Sequence, residues 1–341
     1  MVNIKDVARK AGVSISTVSR VINNSATVSE RKQKAVRQAM TTLQYKTNLF
    51  AKALVCNKSN TIGLLVGELA DPFFGLLMQG VEHIAKKHGK QLIVSAGHHD
   101  AEQEKQAILS LIDHRCDALV IHAKALSDQS LKTCLSEQPS GVVINHCIPD
   151  MPARCISIDN NKAACSAVQY LLKYGHTHIA YVERNDAIED QASRKQGYTD
   201  ALVQNNISYD PSLIVTDKPD EEGGFRAVET LLQQTDHFSA IFTYNDMMAA
   251  GCISALRHHG LRIPEDVSII GFDDVLLARF LRPTLTTVHY PIKEMAIAAA
   301  TQALKLSGEN IDFTPICSHP TTLVERQTVL PIPAIKCQKT Y

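Results

Sequence analysis

Short apolar runs alternate with helical stretches from Thr61 onward, and this alternation constrains the fold more than any other feature of the sequence. The runs are four or five residues long and lie at 62–66, 92–95, 118–121, 142–145, 179–182, 240–243 and 267–271. Continuously apolar strands are typical of parallel sheets that helices cover on both faces. The alternation starts again after Asp159. The sequence therefore predicts an α/β core of two lobes, each built on a parallel sheet.

The ends of the predicted strands indicate where this core binds a ligand. Open parallel sheets bind ligands beyond the carboxyl ends of their strands, and two facing lobes form a cleft there. The polar and aromatic side chains near these ends are the candidates for effector binding: Asp71, Phe73, Phe74, His122, Asn145, Arg194, Asn245 and Asp273. Carboxylate, amide and guanidinium groups pair with vicinal hydroxyls, and aromatic rings suit the apolar face of a pyranose. This set predicts a small sugar.

Helix caps and loop ion pairs are the alternative interpretation of the same residues. Polar side chains at strand ends often cap the helix that follows. Taken singly, Asp246 is predicted to be such an N-cap rather than a ligand contact.

The stretch at 4–24 predicts a different structure, two short helices joined by a tight turn. Asn3 is placed to cap the first helix, and Gly12 is placed to end it in the left-handed conformation. Ser14 is placed to cap the second helix. A third helix is predicted over 29–43, with its first residue, a serine, as the cap. These helices form a small head before the α/β core.

The second of these helices carries the candidates for reading DNA. Its apolar spacing turns Val18, Val21 and Ile22 toward the first helix. The candidate DNA-binding residues of this helix are Ile15, Ser16, Thr17, Ser19, Arg20 and Asn23. An arginine fork can grip guanine, and hydroxyls and apolar atoms can meet other base edges. A helical hairpin that only closes a small core is the alternative.

Charge favours the DNA-binding interpretation. The whole chain holds 35 Lys and Arg against 35 Asp and Glu, but residues 1–58 hold 11 of the basic residues and only 2 of the acidic ones. The head and linker therefore carry +9, and the remainder carries −9. A compact basic head on an acidic body is typical of phosphate binding by the head alone.

The same residues carry a family resemblance. VNIKDVARKAGVSISTVSRVINN resembles the head of the lactose and galactose repressor family of bacterial transcription regulators, and the likeness continues through almost the whole chain. Within the family it is nearest to the galactose repressors, through EQEKQAILSLIDHRCDALVIHAK, PDEEGG and SIIGFDDVLLARFLRPTLTTVHYPI. The resemblance implies the fold of periplasmic sugar-binding proteins. It also implies that Arg194, Asn245 and Asp273 contact the effector.

The resemblance implies a domain order. The head would span 1–46, a hinge helix or linker 47–60, the first lobe 61–160 with 291–319, and the second lobe 161–290 with 320–341. The chain would cross between the lobes three times, the last time near Thr321.

The linker would be a hinge helix that forms only on operator DNA. The resemblance implies that it starts at Asn48, pairs with its copy in a dimer and wedges Leu54 into the minor groove. Thr47 stands where the family commonly has proline, so the helix is expected to nucleate less readily. A plain linker is the alternative.

These features predict a repressor that acts as a homodimer on a near-palindromic operator. The tail is interrupted by Pro331 and Pro333, which excludes a C-terminal coiled coil and hence the tetramer that one would imply. Galactose or a galactoside is expected to act as an inducer that lowers DNA affinity. A regulator of the same family that responds to another sugar, a nucleoside or a purine corepressor is the alternative.

Other classes of protein are disfavoured. The sequence contains no nucleophile elbow, P-loop, dinucleotide fingerprint or HExxH motif, so no enzyme activity, catalytic residue, metal or cofactor is predicted. His176 and His178 are predicted to be loop residues, and the pairs 98–99 and 258–259 to be solvated. The nine scattered cysteines suit reduced thiols in the cytoplasm, with the protein on the nucleoid when bound to DNA.

The absence of a long apolar run predicts that no segment spans a membrane. A sugar-binding transport protein would share the two-lobed body, but it would need a secretory signal and would lack the basic head.

Overall fold

A computed structural model describes residues 2–22, 28–45, 59–235 and 237–332. It divides the chain into two compact units, Met1–Ser59 and Asn60–Tyr341. The predictions for Asn23, Asn48 and Leu54 lie outside the described residues.

The head is built from three helices: α1 (Ile4–Ala11), α2 (Ile15–Ile22) and α3 (Glu30–Thr42). The Asn3 side chain accepts hydrogen bonds from the backbone of Lys5 and Asp6 at 2.9 and 3.3 Å, and Asp6 accepts from the Asn3 backbone at 3.0 Å. Gly12 ends α1 with φ 63°. Ser14 Oγ accepts from the Thr17 backbone at 3.2 Å. The predicted caps of the first two helices are therefore confirmed.

The third helix differs from its prediction at its start. Ser29 occupies the N-cap position, but its side chain makes no capping hydrogen bond. The Gln33 side chain instead donates to the Val28 carbonyl at 2.8 Å and secures the same turn. The core of the head contains Val7, Ala8, Val18, Val21, Val28, Val36 and Ala39.

The second unit alternates strands and helices as predicted. In chain order the elements are β1 (Thr61–Val66), α4 (Pro72–Lys87), β2 (Gln91–Ala96), α5 (Ala101–Asp113), β3 (Ala118–Ile121), α6 (Asp128–Ser136), β4 (Gly141–Ile144), β5 (Cys155–Ile158), α7 (Asn160–Lys173), β6 (Ile179–Arg184), α8 (Glu189–Gln204), β7 (Ile214–Asp217), α9 (Glu221–Gln234), β8 (Ala240–Thr243), α10 (Asp246–His258), β9 (Ser268–Asp273), α11 (Leu277–Phe280), β10 (Thr286–His289), α12 (Ile292–Leu306), β11 (Ser318–His319) and β12 (Thr322–Val324). No described helix is long and apolar enough to cross a bilayer.

The strands form two sheets, and each sheet is the centre of one lobe. The first lobe has the strand order β11-β5-β4-β3-β1-β2, and all its pairings are parallel. The second lobe has the order β12-β10-β9-β8-β6-β7, in which only β12 is antiparallel. The chain passes between the sheets after β5, after β10 and between β11 and β12. The predicted α/β class with two parallel sheets is therefore confirmed.

Several short strands escaped the sequence pattern because their side chains are partly polar. β7 is IVTD at a sheet edge, where Thr216 is exposed. β10 is TTVH, yet Thr286 and Thr287 are fully buried. The Thr287 hydroxyl donates to Asp246 at 2.6 Å, which satisfies it inside the core. Because Asp246 lies 41 residues before Thr287, the local sequence around β10 does not reveal this hydrogen bond.

The packing of α7 against α8 depends on Gly197. A Cβ atom at this position would lie 2.2 Å from the Asn161 carbonyl oxygen and 2.9 Å from the Cys165 nitrogen. Gly197→Ala is therefore expected to destabilise the chain by about 1–3 kcal/mol through overpacking. Thermal unfolding of the full chain measures this effect. Gly75→Ala is the matched control, since no described atom lies within 4 Å of its Cβ position in α4, and it should not lower the melting temperature.

Candidate functional site

The second helix of the head presents an accessible face. Ile15 is 45% exposed, and Ser16 and Arg20 are also exposed. Thr17 and Ser19 are half-buried, and the Thr17 hydroxyl lies 2.9 Å from Ser14 Oγ at the start of the helix. Residues 15, 16, 19 and 20 have the spacing that places them on one side of a helix. This side is free to meet the edges of bases.

The second unit contains a cleft of about 540 Å³ between its two lobes. The structure brings all eight predicted effector residues to its lining: Asp71, Phe73, Phe74, His122, Asn145, Arg194, Asn245 and Asp273. The volume is in the range of small-molecule sites.

The first lobe contributes an aromatic wall to the cleft. Asp71 caps α4 by accepting a hydrogen bond from the Phe73 backbone at 2.8 Å, which fixes the start of the helix. Phe73 and Phe74 then pack edge to face at 5.3 Å, and Phe74 packs in the same way on His122 at 5.0 Å. Burial raises the pKa of Asp71. The wall offers an apolar surface beside one carboxyl group.

The second lobe holds the Arg194 guanidinium in a fixed position. The group lies 3.6 Å from the ring centre of Phe272 and 4.4 Å from that of Tyr244. It donates to the Tyr244 carbonyl at 2.6 Å and to the Asn160 side chain at 2.9 Å. Its remaining nitrogen lies 3.9 Å from Asp273. Stacking and hydrogen bonds to protein groups together orient the guanidinium.

Asp273 is the least satisfied carboxylate of the cleft. Within the described residues its side chain makes no protein hydrogen bond and has only the ion pair with Arg194 at 3.9 Å. Burial raises its pKa well above the ordinary value, and Arg194 opposes this shift. Donors from a ligand would stabilise its charged form.

Four residues of the cleft lining have a positive φ: His98, His99, Asn145 and Asp273. Asp273 has φ 106° and Asn145 has φ 60°, and both follow or end a strand at the cleft. Such conformations cost about 1–3 kcal/mol in residues other than glycine and concentrate at functional sites. The strain indicates that both side chains are placed for a purpose beyond packing.

The N-cap of α10 is Asn245 rather than Asp246, which the sequence predicted. The backbone of Asn245 is extended, and its side chain caps α10 by accepting from the Met248 backbone at 2.9 Å. The prediction that Asp246 is the N-cap is therefore wrong. Asp246 is fully buried and accepts from the Val275 backbone at 2.9 Å and from the Thr287 hydroxyl at 2.6 Å. Burial raises the pKa of Asp246 to about 7.

His99 is a cleft residue that sequence reasoning missed. It was predicted to be solvated, but it lines the cleft with its ring 6.2 Å from Phe74 and 6.2 Å from His122. Burial lowers the pKa of His99 to about 4, so it is neutral near pH 7. Its neighbour His98 is exposed and lies 3.1 Å from Glu68. Gly97 follows a half-buried strand and precedes both histidines, but it does not indicate which of the two lines the cleft.

Lys124 and Asp190 also escaped the sequence analysis. Both line the cleft, and they form an ion pair of 2.7 Å from opposite lobes with side chains that are 1% and 5% exposed. Neither residue belongs to a motif, and only the facing of the two lobes brings them together.

His176 has a structural role. It lies in a loop, as predicted, but it is buried and lies 2.9 Å from the Ser239 hydroxyl and 3.0 Å from the Leu330 carbonyl. No cluster of metal-ligating side chains is found among the described residues.

Comparison with known proteins assigns the family. Residues 3–48 match the lacI family of bacterial regulatory proteins, and residues 168–329 match the periplasmic binding protein-like domain. The chain is 44% identical over 331 residues to the HTH-type transcriptional regulator GalR of Escherichia coli K12, covering 96% of both chains. It is 43% identical over 329 residues to GalS of Salmonella typhimurium, covering 96% of this chain and 97% of that one.

The chain belongs to the lacI family of bacterial regulatory proteins. Among solved structures it resembles a lac repressor dimer bound to operator and the anti-inducer ONPF, with a TM-score of 0.83 and 26% identity over 96% of this chain and 99% of that one. This lacI-family member is a sugar-responsive, DNA-binding transcriptional repressor, and its relatives are regulators rather than enzymes.

In this lacI-family repressor His146 links the lobes through two carboxylates. Its Nε2 lies 2.7 Å from Asp128 of the first lobe, and its Nδ1 contacts Glu189 of the second. Hydrogen bonding to Glu189 raises the pKa of His146, Asp128 adds to the effect, and burial and Lys124 oppose it. Because both ring nitrogens face acceptors, the bridge requires the imidazolium form.

The stability from this bridge is expected to depend on pH. A raised pKa in the folded state means that the contribution is present below the unfolded-state value and is lost as pH rises through the folded-state value. Asp128 and Glu189 are 43% and 54% exposed, so solvent screening limits the effect to roughly 0.5–1 kcal/mol. Thermal unfolding of wild type and His146→Gln between pH 5.5 and 8.5 measures it. Parallel pH profiles would contradict the expectation.

Proposed function

We propose that galactose or a galactoside binds in the cleft of this repressor and lowers its affinity for operator DNA. The observation that carries the proposal is the facing of two different surfaces, an aromatic wall on one lobe and the Arg194–Asp273 pair on the other. An aromatic wall suits the apolar face of a pyranose, and the charged pair suits its hydroxyls. The 44% identity to GalR supports this choice of effector.

The charges of the cleft favour a neutral ligand. Lys124 pairs with Asp190 at 2.7 Å, Arg184 pairs with Asp186, and Arg194 faces Asp273 at 3.9 Å. These three cations have side chains that are 5% exposed or less. To pair with one of these three buried cations, a phosphorylated or acidic sugar would have to displace its carboxylate. The fourth cation of the lining, Lys218, is exposed, and the lining also holds the carboxylates of Glu68, Asp71 and Asp220. An uncharged sugar adds hydrogen bonds without breaking these pairs.

The eight cleft residues named from the sequence are the proposed effector site. Asp273 and Arg194 would bind adjacent hydroxyls, and Phe73 and Phe74 would meet the apolar face of the ring. Asn145 and Asn245 have side chains that already bind protein groups, so their contribution would be through the shape of the site.

Two chains would bind one near-palindromic operator as a homodimer, with one head in each half-site. The lac repressor structure that this chain resembles is a dimer on operator, which supports this arrangement. The head would span 1–46 and the hinge 47–60, with Ile15, Ser16, Thr17, Ser19, Arg20 and Asn23 on bases or phosphates and Asn48 and Leu54 acting in the hinge. A repressor of this kind works in the cytoplasm and lies on the nucleoid when bound.

Binding to the DNA upstream of its own gene tests the proposal. Fluorescence anisotropy would follow that DNA at several salt concentrations, with and without D-galactose. We expect log affinity to fall with log salt at roughly −0.9 per phosphate contacted, and D-galactose to release the DNA. A salt-dependent complex that no sugar changes would refute the effector, and the absence of any such complex would refute the repressor.

A purine or nucleoside corepressor is the second candidate, because the aromatic wall suits a flat base as well as a sugar ring. Phe73, Phe74 and His122 could stack on a flat base as readily as on a sugar ring. Such a ligand would raise operator affinity. Adding hypoxanthine, guanine and nucleosides to the same assay separates the two candidates by the sign of the change.

A further inference from the structure

The first turn of α8 reaches from the second lobe to the first. Asp190 accepts hydrogen bonds from Lys124 Nζ at 2.7 Å and from Asn145 Nδ2 at 2.8 Å. Lys124 also donates to the Asn145 carbonyl. We call Lys124, Asn145 and Asp190 the interlobe clasp. It joins the lobes through protein groups alone.

The clasp uses the hydrogen-bonding capacity of Asn145 within the protein. Its Nδ2 donates to Asp190, and its Oδ1 accepts from the Tyr290 hydroxyl. Asn145 also has a left-handed backbone with φ 60°, so its strain is balanced by these contacts. A side chain engaged at both ends is suited to hold two lobes together.

The clasp fixes Arg194 relative to the first lobe. Asp190 and Arg194 are four residues apart on α8, which places them one above the other on the same face of the helix. A third hydrogen bond to the Asp190 carboxylate, from Asn160 Nδ2 at 3.3 Å, connects it to the residue that accepts from Arg194 Nε at 2.9 Å. A shift of Asp190 would therefore move the guanidinium away from the aromatic wall.

Burial makes the clasp depend on both charges. The side chains of Lys124 and Asp190 are 1% and 5% exposed. Burial raises the pKa of Asp190, but Lys124 and Arg194 outweigh it, and the net pKa is lowered. Removing one partner of a buried pair leaves an uncompensated charge, whereas removing both is often neutral for stability.

We propose that Lys124 and Asp190 are positioning residues that hold the two walls of the cleft at binding distance before the effector arrives. The inference rests on the proposed sugar-binding function. It attributes the spacing of the two cleft walls to Lys124 and Asp190, which are not among the eight residues predicted from the sequence. When the lobes are already aligned, the free energy needed to align them is not subtracted from the free energy of ligand binding. Loss of the clasp therefore weakens binding even where the fold is intact.

A double-mutant cycle tests the proposal. Lys124→Met, Asp190→Asn and the double variant would be compared with wild type as full chains. Three quantities would be measured: the melting temperature, the Kd for D-galactose by calorimetry, and hydrogen exchange of the ligand-free protein at 122–126 and 188–194. Each single variant should lower the melting temperature, and the double variant should recover most of it. The double variant should still bind D-galactose at least about tenfold more weakly and exchange faster on both sides of the cleft.

The first lobe offers a matched control. Lys90 and Asp117 form an ion pair of the same 2.7 Å length with side chains that are 3% and 7% exposed, but both residues lie in one lobe. Lys90→Met with Asp117→Asn should alter stability without changing the sugar Kd or exchange at the cleft.

The outcomes separate the two proposals. Suppose that the clasp double variant recovers the wild-type melting temperature and that its Kd for D-galactose and its hydrogen exchange also equal the wild-type values. The pair is then only structural, and the inference fails. If wild type itself does not bind D-galactose, the proposed effector fails. Exchange of the ligand-free protein then still decides the clasp, because that measurement requires no ligand.

Discussion

Arg20→Ala is expected to weaken specific operator binding by about 10- to 100-fold and to leave D-galactose binding unchanged. Arg20 is exposed on the same side of α2 as Ser16, while Val18 and Val21 on the opposite side are buried in the head. A guanidinium in this position can pair with a guanine edge, which contributes about 1–3 kcal/mol of discrimination. Fluorescence anisotropy on the operator and on a scrambled duplex measures the loss, and calorimetry measures the sugar.

Lys34→Ala is the matched control for Arg20→Ala. It removes the same charge from an exposed position on α3, which carries none of the candidate DNA-binding residues. A phosphate contact contributes equally on all sequences, so this variant should weaken specific and scrambled duplexes alike. Equal losses on both duplexes for Arg20→Ala would mean that Arg20 contacts phosphate and that the bases are read elsewhere.

The sequence predicts the fold well where local chemistry decides it. The runs at 118–121 and 240–243 coincide with β3 and β8, because they are apolar except for the terminal Thr243 and are buried on both faces. The caps of α1 and α2 were predicted from single side chains for the same reason. β10 was missed since its buried threonines are satisfied only by the fold, and β7 was missed since it is partly polar at a sheet edge. The choice between Asn245 and Asp246 as a cap also depended on backbone angles that the sequence does not display.

The residues of the cleft also divide into those that were predicted from the sequence and those that were missed. The eight predicted residues meet there because strand ends of a parallel sheet meet at one edge, a rule that needs only the positions of the strands. His99 and Lys124 each lie three residues beyond a strand end, after β2 and β3, so the same rule extends to them. The pairing of Lys124 with Asp190 does not follow from it, because that contact joins the two lobes and no local pattern encodes how closely they approach.

Asp273→Asn is expected to weaken D-galactose binding by about 10- to 100-fold and to raise the D-galactose concentration that releases operator DNA by the same factor, with operator binding retained. The Asp273 carboxylate is buried, lies 3.9 Å from Arg194 and makes no side-chain hydrogen bond within the described residues. Two sugar hydroxyls could donate to it, and hydrogen bonds to a charged group contribute about 1.5–3 kcal/mol each. Asparagine has the same shape and tolerates the φ of 106°, so the fold should persist.

Asp274→Asn isolates this effect from a general loss of charge. Asp274 is the next residue, but its carboxylate pairs with Arg326 and lies 3.1 Å from His289, away from the lining of the cleft. Its loss should lower the melting temperature and leave the sugar Kd unchanged. Asp273→Asn is therefore expected to change the sugar Kd, and Asp274→Asn is expected to change the melting temperature. If Asp273→Asn released DNA at the same D-galactose concentration as wild type, the neutral side chain would be sufficient, and the effector would have to be held by other groups of the cleft.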